Sequence, residues 1–167
     1  LSRASYRLFS TSMPKNVAVI LSGCGVYDGS EIHEAVFMLE SLSKRNAKYQ
    51  CFAPNIDQMH VINHLTGEPT EEKRNVLIES ARIARSNVKD IAQLNPSEYD
   101  AIVLPGGFGA AKNLSSFAVK GPQMEVLKSV SDVLKAFNAA GKPIGACCIA
   151  PVILARIFPK VHVTLGQ

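Results

Sequence analysis

The sequence lacks long hydrophobic runs and has few cysteines, and each shortage excludes a class of protein. No apolar stretch approaches the roughly 18 residues that a membrane-spanning helix needs, so we expect no membrane association. The four cysteines show neither zinc-finger spacing nor the pattern of a secreted disulfide scaffold. Because Cys147 and Cys148 are adjacent, we interpret them as reduced thiols of an intracellular protein.

Acidic residues are absent from the first part of the chain, where none precedes Asp28. Residues 1–12 contain two arginines, several serines and interleaved apolar residues, a composition typical of a mitochondrial transit peptide. A disordered basic tail is the alternative interpretation. Removing Arg3 and Arg7 lowers the net charge from +4 to +2, and no basic stripe remains that would predict nucleic-acid binding. We therefore predict a mitochondrial protein whose folded part covers residues 13–167.

Short apolar runs alternate with helical patterns along that folded part. Residues 17–21 form a β-branched apolar run that predicts a first buried strand, and residues 49–53 predict a second. Between them, residues 30–45 have helical periodicity, with Ser30 as the expected N-cap. This strand–helix–strand opening predicts a single α/β domain with a parallel sheet.

The middle of the chain is less regular. Residues 54–97 are interpreted as an excursion beside the sheet, with a strand suggested at 59–63 and a helix at 75–84. The pattern then resumes, with Gly141 expected just after the end of a long helix. The predicted elements are a strand at 101–104, helices at 110–117 and 123–140, and a last strand at 161–165.

The segment 142–151 carries the strongest chemical signal. Its short apolar run predicts a buried strand, and Pro151 suits the first turn of a following helix. Cys148 then lies at a strand-to-helix turn, where the positive end of the helix dipole favours a thiolate. Strand alternation predicts that Cys147 points the opposite way, so that only one thiol faces the site. The alternative is that both are small core residues.

Two glycine-rich loops follow predicted strands and should meet at the carboxyl edge of the sheet. The loop 106–109 can present backbone N–H groups to an oxyanion, but it lacks the Gly-Lys-Ser/Thr of a phosphate-binding loop. The loop 23–29 approaches a dinucleotide fingerprint, yet its third glycine is one residue late. His60 and His64 could bind a metal ion, but no Cys or further His lies near them in the sequence. We therefore expect neither a nucleotide cofactor nor a metal.

The predicted first helix begins with two glutamates one turn apart, Glu31 and Glu34. A carboxyl group beside Cys148 could hydrogen bond the thiol or move a proton during a reaction. The alternative is that both acids compensate the helix dipole. His33 lies between them and could act as a base or be a surface residue.

Three segments resemble, in family order, the ThiJ/PfpI group of the class I glutamine amidotransferase-like superfamily; they are 29–35, 104–110 and 145–151. The resemblance covers about residues 15–167 and extends to a branch of bacterial proteins that enhance lycopene biosynthesis, with mitochondrial homologues in vertebrates. It implies a flavodoxin-like three-layer sandwich with a mostly parallel central sheet. Family members continue for several elements beyond the position of Gln167, and the first residue is not Met, so we expect the chain to be part of a longer protein.

The resemblance also implies a site. It makes Cys148 the nucleophile, Glu34 the acid that hydrogen bonds it, and Glu31 the fallback for that acid. The backbone N–H groups of Gly107 and Ile149 would bind the oxyanion. The implied reaction is the conversion of glyoxal or methylglyoxal into a 2-hydroxy acid through a Cys148 hemithioacetal, without a cofactor.

The chain departs from related families at two places, and each departure argues against one activity. Peptidase-like relatives carry His directly after the cysteine, where this chain has Ile149, and amidotransferases use a downstream His–Glu pair, where this chain has only His162. Neither peptidase nor glutaminase activity is expected. The alternative to the dicarbonyl enzyme is a non-catalytic redox or stress-responsive protein with an oxidisable Cys148. In either case the family implies a homodimer.

Overall fold

The structure is a computed structural model that describes residues 14–164. Five parallel strands form one sheet in these residues, in the order β3-β2-β1-β4-β5. The strands are β1 (Asn16–Ile20), β2 (Lys48–Ala53), β3 (Val88–Asp90), β4 (Ala101–Leu104) and β5 (Ile144–Ala146). The helices are α1 (Ile32–Lys44), α2 (Val76–Ala84), α3 (Phe108–Lys112), α4 (Phe117–Lys120), α5 (Lys128–Ala139) and α6 (Pro151–Ile157).

Alternation along β1 divides the core into two layers. Val17, Val19 and Leu21 face one side, where they pack in one cluster with buried residues of α1 and α2. Ala18 and Ile20 face the other side, in a second cluster with residues of α3, α5 and α6. Because both faces of the sheet are covered, the central strands β1 and β4 are largely apolar, as is usual in parallel sheets, whereas β2 and β3 also contain charged residues. The predicted flavodoxin-like three-layer sandwich is confirmed.

The strand order changes direction between β1 and β4. The chain runs outward from β1 to β3 on one side, and from β4 to β5 on the other. In open parallel sheets, ligand sites lie at the carboxyl ends of the strands beside such a point. Here the loops 22–31 and 105–107 leave β1 and β4 at this edge, and the turn after β5 lies beside them.

The end of α5 directs the chain into β5. Gly141 has φ +66°, and its N–H donates to the carbonyl of Asn138. The N–H of Lys142 donates to the carbonyl of Phe137, which completes a Schellman-type ending. The predicted position of Gly141 is confirmed, but the helix begins at Lys128 rather than at 123, because residues 121–123 form a short 3₁₀ turn.

Several predicted boundaries are wrong. Residues 59–63 form no strand: within them only Ile62 makes an isolated bridge, with Pro69. The predicted excursion at 54–97 contains β3, which pairs with β2. The predicted helix at 110–117 is two helices, α3 and α4, separated by a turn that includes Asn113.

The predicted last strand is also wrong over residues 161–164, which are irregular. The N–H of Val161 turns back to the carbonyl of Phe158, and this segment pairs with no strand of the sheet. Leu165 and the predicted transit segment 1–12 lie outside the described residues. Within residues 14–164, no helix combines the length and the apolar character needed to cross a bilayer.

Candidate active site

Cys148 lies at a sharp turn between β5 and α6. The N–H of Cys147 donates to the carbonyl of Leu104 and continues the sheet, and the next residue leaves the extended conformation with φ +55°. A left-handed conformation costs a residue other than glycine about 1 kcal/mol, so such residues often mark functional turns. The side chain of Cys148 is exposed, whereas that of Cys147 is half-buried.

Gly106 lets the turn and α1 approach each other closely. A Cβ atom on Gly106 would lie 2.9 Å from Sγ of Cys148 and 2.7 Å from Oε2 of Glu34, and it would overlap Cβ of Cys148. Real Cβ atoms do not come so close to other heavy atoms. Glycine is therefore required here, and the thiol of Cys148 and the carboxylate of Glu34 lie on the same side of it.

The carboxylate of Glu34 is held by two groups through one oxygen. Its Oε2 accepts the N–H of Gly106 over 2.9 Å and the S–H of Cys147 over 3.5 Å. Burial raises the pKa of Cys147 to about 11, the negative charge of Glu34 acts in the same direction, and the N–H of Gly106 opposes them. Cys147 is therefore a neutral thiol that donates to Glu34.

Both cysteines thus lie beside the same carboxylate. Strand alternation predicted that Cys147 points the opposite way, but the two thiols border one carboxylate, because the alternation ends where Cys148 adopts its left-handed conformation. The hydrogen bond to Glu34 that the resemblance implied for Cys148 comes from Cys147. Among the described residues, Cys148 lies next to this carboxylate without donating to it.

Glu31 has a different environment. It is the N-cap of α1, and its Oε2 accepts the N–H of Glu34 over 2.7 Å, while Oε1 pairs with Nδ1 of His33 at 2.9 Å. Burial would raise the pKa of Glu31, but the hydrogen bonds from Glu34 and His33 outweigh it and keep this pKa below its usual value. The side chain of His33 is exposed. Glu31 therefore serves the helix terminus, and Glu34 is the acid next to Cys148.

The two predicted oxyanion donors have unused N–H groups. Within residues 14–164, neither the N–H of Gly107 nor that of Ile149 donates to a protein acceptor. The next two amides after Gly107 are engaged, because Phe108 donates to the carbonyl of Val26 and Gly109 to that of Gly29. Unused backbone N–H groups at the edge of an exposed thiol are suited to stabilise a developing oxyanion.

The glycine-rich loop after β1 is closed by its own hydrogen bonds. Gly25 donates to the carbonyl of Ser30, Gly29 donates to that of Gly25, and the hydroxyl of Ser30 accepts the N–H of Ser22. The predicted N-cap role of Ser30 is therefore wrong, since its hydroxyl serves the loop and Glu31 caps α1. These bonds fix the conformation of the loop at the edge of the sheet.

The side chain of Asn113 holds this loop by hydrogen bonds. This role was not predicted from the sequence. Its Nδ2 donates to the carbonyls of Ser22 and Asp28, both at 2.9 Å, and its Oδ1 accepts the N–H of Met59. The sequence carries no local signal for this role, since Asn113 stands among the polar residues Lys112, Ser115 and Ser116, and only the fold buries it. No group of three or more potential metal ligands occurs in the part of the chain that the structure describes.

Several known proteins are similar to this chain in sequence. The sequence model of the DJ-1/PfpI family matches residues 26–158. A human protein named glutamine amidotransferase-like class 1 domain-containing protein 3, mitochondrial, is 56% identical over 166 residues, which are 99% of this chain and 62% of that protein. The mitochondrial ES1 protein homolog of Rattus norvegicus is 58% identical over 152 residues, which are 90% of this chain and 57% of that protein. The mitochondrial names of these relatives confirm the predicted localisation.

Solved structures also resemble this chain in fold. An isoprenoid biosynthesis protein with an amidotransferase-like domain from Ehrlichia chaffeensis is 44% identical, with a TM-score of 0.83 over 88% of this chain and 70% of that chain. A ThiJ/PfpI domain protein from Brachyspira murdochii is 16% identical with a TM-score of 0.55, over 92% of this chain and 71% of that chain, and supports the fold alone. The present chain spans 62% and 57% of the length of the human and rat relatives.

Proposed function

The chain belongs to the DJ-1/PfpI family, and on that premise we propose that it is a glyoxalase-type enzyme that converts glyoxal or methylglyoxal into a 2-hydroxy acid without a cofactor. One observation carries the proposal: the exposed thiol of Cys148 and the carboxylate of Glu34 both lie beside Gly106, on the same side of it. A nucleophile beside a proton carrier is the pair that this isomerisation and hydrolysis require.

The proposed reaction begins when the thiolate of Cys148 adds to the aldehyde carbon. The carbonyl oxygen becomes an oxyanion and accepts the N–H groups of Gly107 and Ile149, and its protonation gives a hemithioacetal. Glu34 then removes the proton from the sulfur-bearing carbon, which gives an enediolate, and returns a proton to the neighbouring carbon. The proton of the hemithioacetal hydroxyl passes to the oxygen of that neighbouring carbon, and a thioester of the 2-hydroxy acid results. Water cleaves the thioester and restores the thiol.

The hydrogen bonds of Glu34 support its role as the proton carrier. Oε2 is held by Gly106 and Cys147, whereas Oε1 accepts no hydrogen bond within the described residues. One oxygen therefore fixes the orientation of the carboxylate, and the other is available to the substrate. Proton transfer of this kind needs heavy atoms within about 3 Å, and a carboxylate fixed by backbone meets that need more readily than a mobile one.

A paired turnover assay tests the proposal. The full-length protein and its Cys148→Ala variant are incubated with excess glyoxal, and glycolate is followed by NMR, with Cys24→Ala as the control for a thiol outside the site. We expect many equivalents of glycolate from the wild type and the control, and none from Cys148→Ala. Loss of at most one equivalent of glyoxal per folded wild-type molecule, without glycolate, would refute catalysis.

A redox or stress-responsive role for the same cysteine is the second candidate. The observation that favours it is the exposure of Cys148 next to a second thiol, Cys147. Exposed thiols are oxidised by peroxides before buried ones. In this case the protein would bind dicarbonyls only stoichiometrically and would respond to peroxide instead.

We also propose that the protein is a homodimer that uses α1. Three large apolar side chains on this helix are exposed: Ile32 (42%), Val36 (45%) and Phe37 (59%). They lie on the outer side of the helix that carries Glu34, and a second copy would cover them. Light scattering during gel filtration tests the proposal: the wild type should have the mass of two chains, and Phe37→Glu that of one. A monomeric wild type at micromolar concentration would refute it.

A further inference from the structure

Cys147 is a thiol that the proposed reaction does not use. It is half-buried, it donates to Oε2 of Glu34 over 3.5 Å, and it directly precedes the exposed Cys148. A Cβ atom added to Gly106 would lie 2.9 Å from Sγ of Cys148 and 2.7 Å from Oε2 of Glu34, so both thiols border the same carboxylate. Adjacent thiols that share an acid suggest chemistry between them.

We propose that Cys147 is a resolving cysteine, which condenses with Cys148 after a hydroperoxide has oxidised Cys148 to a sulfenic acid. The product is a disulfide between neighbouring residues, and it protects Cys148 from further oxidation to the sulfinic acid. This inference goes beyond the proposed dicarbonyl reaction and does not depend on it.

The chemistry balances in two steps. In the first, the sulfur of Cys148 attacks the terminal oxygen of the hydroperoxide; an S–O bond forms, the O–O bond breaks, and the alkoxide leaves with a proton as the alcohol or water. In the second, the sulfur of Cys147 attacks the sulfur of the sulfenic acid; an S–S bond forms, the S–O bond breaks, and hydroxide leaves. The proton of the Cys147 thiol passes through Glu34 to this hydroxide and forms water.

The contact with Glu34 suits Cys147 to the second step. Its pKa of about 11 means that the thiol stays protonated at neutral pH, so it needs a base at the moment of attack. Oε2 of Glu34 already accepts this proton in a hydrogen bond. The resulting disulfide is strained, because adjacent Cα atoms are about 3.8 Å apart, closer than in ordinary disulfides. It should therefore be reduced easily by small dithiols.

The other two cysteines do not compete for this role. Cys51 is 1% exposed in the centre of β2, and Cys24 is half-buried in the loop after β1, where burial and the charge of Glu79 raise its pKa. Neither donates a hydrogen bond to Glu34 in the described part of the chain. Cys147 is thus the thiol best suited to attack an oxidised Cys148.

Peptide mass spectrometry tests the inference. The folded wild type, Cys147→Ala and Cys147→Ser are treated with equal doses of hydrogen peroxide, free thiols are alkylated, and trypsin releases residues 136–156, which contain both cysteines. We expect the wild-type peptide to be two hydrogens lighter and to recover fully with dithiothreitol. Both variants should instead gain two oxygen atoms on Cys148, at least about tenfold faster than the wild type.

The Ser variant keeps a hydrogen-bond donor beside Glu34 but cannot form a disulfide, so it separates sulfur chemistry from structural support. A Cys24→Ala variant should behave like the wild type. Equal rates of sulfinic acid formation in the wild type and the Ser variant would overturn the inference, as would a disulfide that links residues 136–156 to another peptide. Because the readout is a peptide mass, either outcome is independent of dicarbonyl turnover.

Discussion

Gly106 and Glu34 are 72 residues apart in the chain, and the N–H of Gly106 donates to Oε2 of Glu34 over 2.9 Å. This bond joins the loop after β4 to the first turn of α1 and turns the carboxylate towards Cys148. The position of the acid is therefore set by backbone atoms of the sheet edge. It follows that the acid and the thiol can be tested separately, because each is supported by different elements.

Replacing Glu34 with Gln should remove proton transfer and leave the fold in place. The amide keeps the size of the side chain and can still accept the N–H of Gly106 through its oxygen, but it cannot carry a proton between two carbons. We expect kcat for glyoxal to fall at least about 100-fold, while hemithioacetal formation on Cys148 persists and is detected by mass.

Glu31→Gln is the matched control, since it makes the same change one helical turn earlier. Its carboxylate caps α1 and pairs with the exposed His33, so we expect a loss of about 1 kcal/mol in the free energy of unfolding and kcat within a factor of about three. If Glu31→Gln were the inactive variant and Glu34→Gln the active one, the assignment of the acid would be reversed.

Gly106→Ala should abolish activity through steric overlap. The added methyl group would overlap Cβ of Cys148 and press on Oε2 of Glu34, so the turn and the helix would have to separate. We expect loss of turnover and a fall of about 2 kcal/mol in the free energy of unfolding, measured by urea denaturation.

Gly121→Ala is the control for this change. Its Cβ would meet no atom within 4 Å, so alanine adds only the backbone strain of a conformation that favours glycine, with φ +52° and ψ −134°, about 1–3 kcal/mol. It should retain wild-type turnover. Full activity in Gly106→Ala would show that the close approach of the thiol and the acid is not needed.

Local sequence patterns predicted the elements that a continuous run of apolar residues marks. Residues 17–21 and 101–104 are apolar and β-branched, so the strands β1 and β4 could be recognised without knowledge of their neighbours. Pro151 and the preceding apolar run likewise predicted the turn that carries Cys148. By contrast, β3 has only three residues, two of them charged, and it is a strand because Cys51 and its neighbours pair with it.

The sequence also predicted part of the site, namely the residues that lie at the ends of predictable elements. The positions of Cys148 and Glu34 follow from where strands and helices end, which a sequence reveals. The contact of Cys147 with Glu34 and the bonds of Asn113 depend on how separate loops meet in three dimensions. No periodicity reports such contacts, so tertiary packing had to be known before they could be found.

Asn113→Ala should loosen the loop 22–29. The substitution removes two donors, to the carbonyls of Ser22 and Asp28, and one acceptor, for the N–H of Met59. Because these partners lie in or next to the core, we expect the free energy of unfolding to fall by about 3 kcal/mol in urea denaturation.

Asn63→Ala serves as the control for this loss. The side chain of Asn63 is exposed and, within residues 14–164, accepts only the N–H of Leu65 two residues on, so its removal should cost less than about 0.5 kcal/mol. If the two variants were equally stable, the bonds of Asn113 would contribute nothing beyond those of a surface turn.

The stability of the protein should decline above pH 9 because of the buried thiol of Cys51. Burial raises the pKa of Cys51 to about 11 from an ordinary value of 9.0, so the folded state binds the proton more tightly than the unfolded state does. The stabilisation is complete below pH 9 and is lost as the pH rises towards 11, where ionisation favours unfolding. In Cys51→Ala, the free energy of unfolding, measured with urea under reducing conditions, should fall less steeply over this range, by about 1 kcal/mol per pH unit. Parallel pH profiles for the two proteins would mean that Cys51 ionises equally in both states, which a thiol that is 1% exposed should not do.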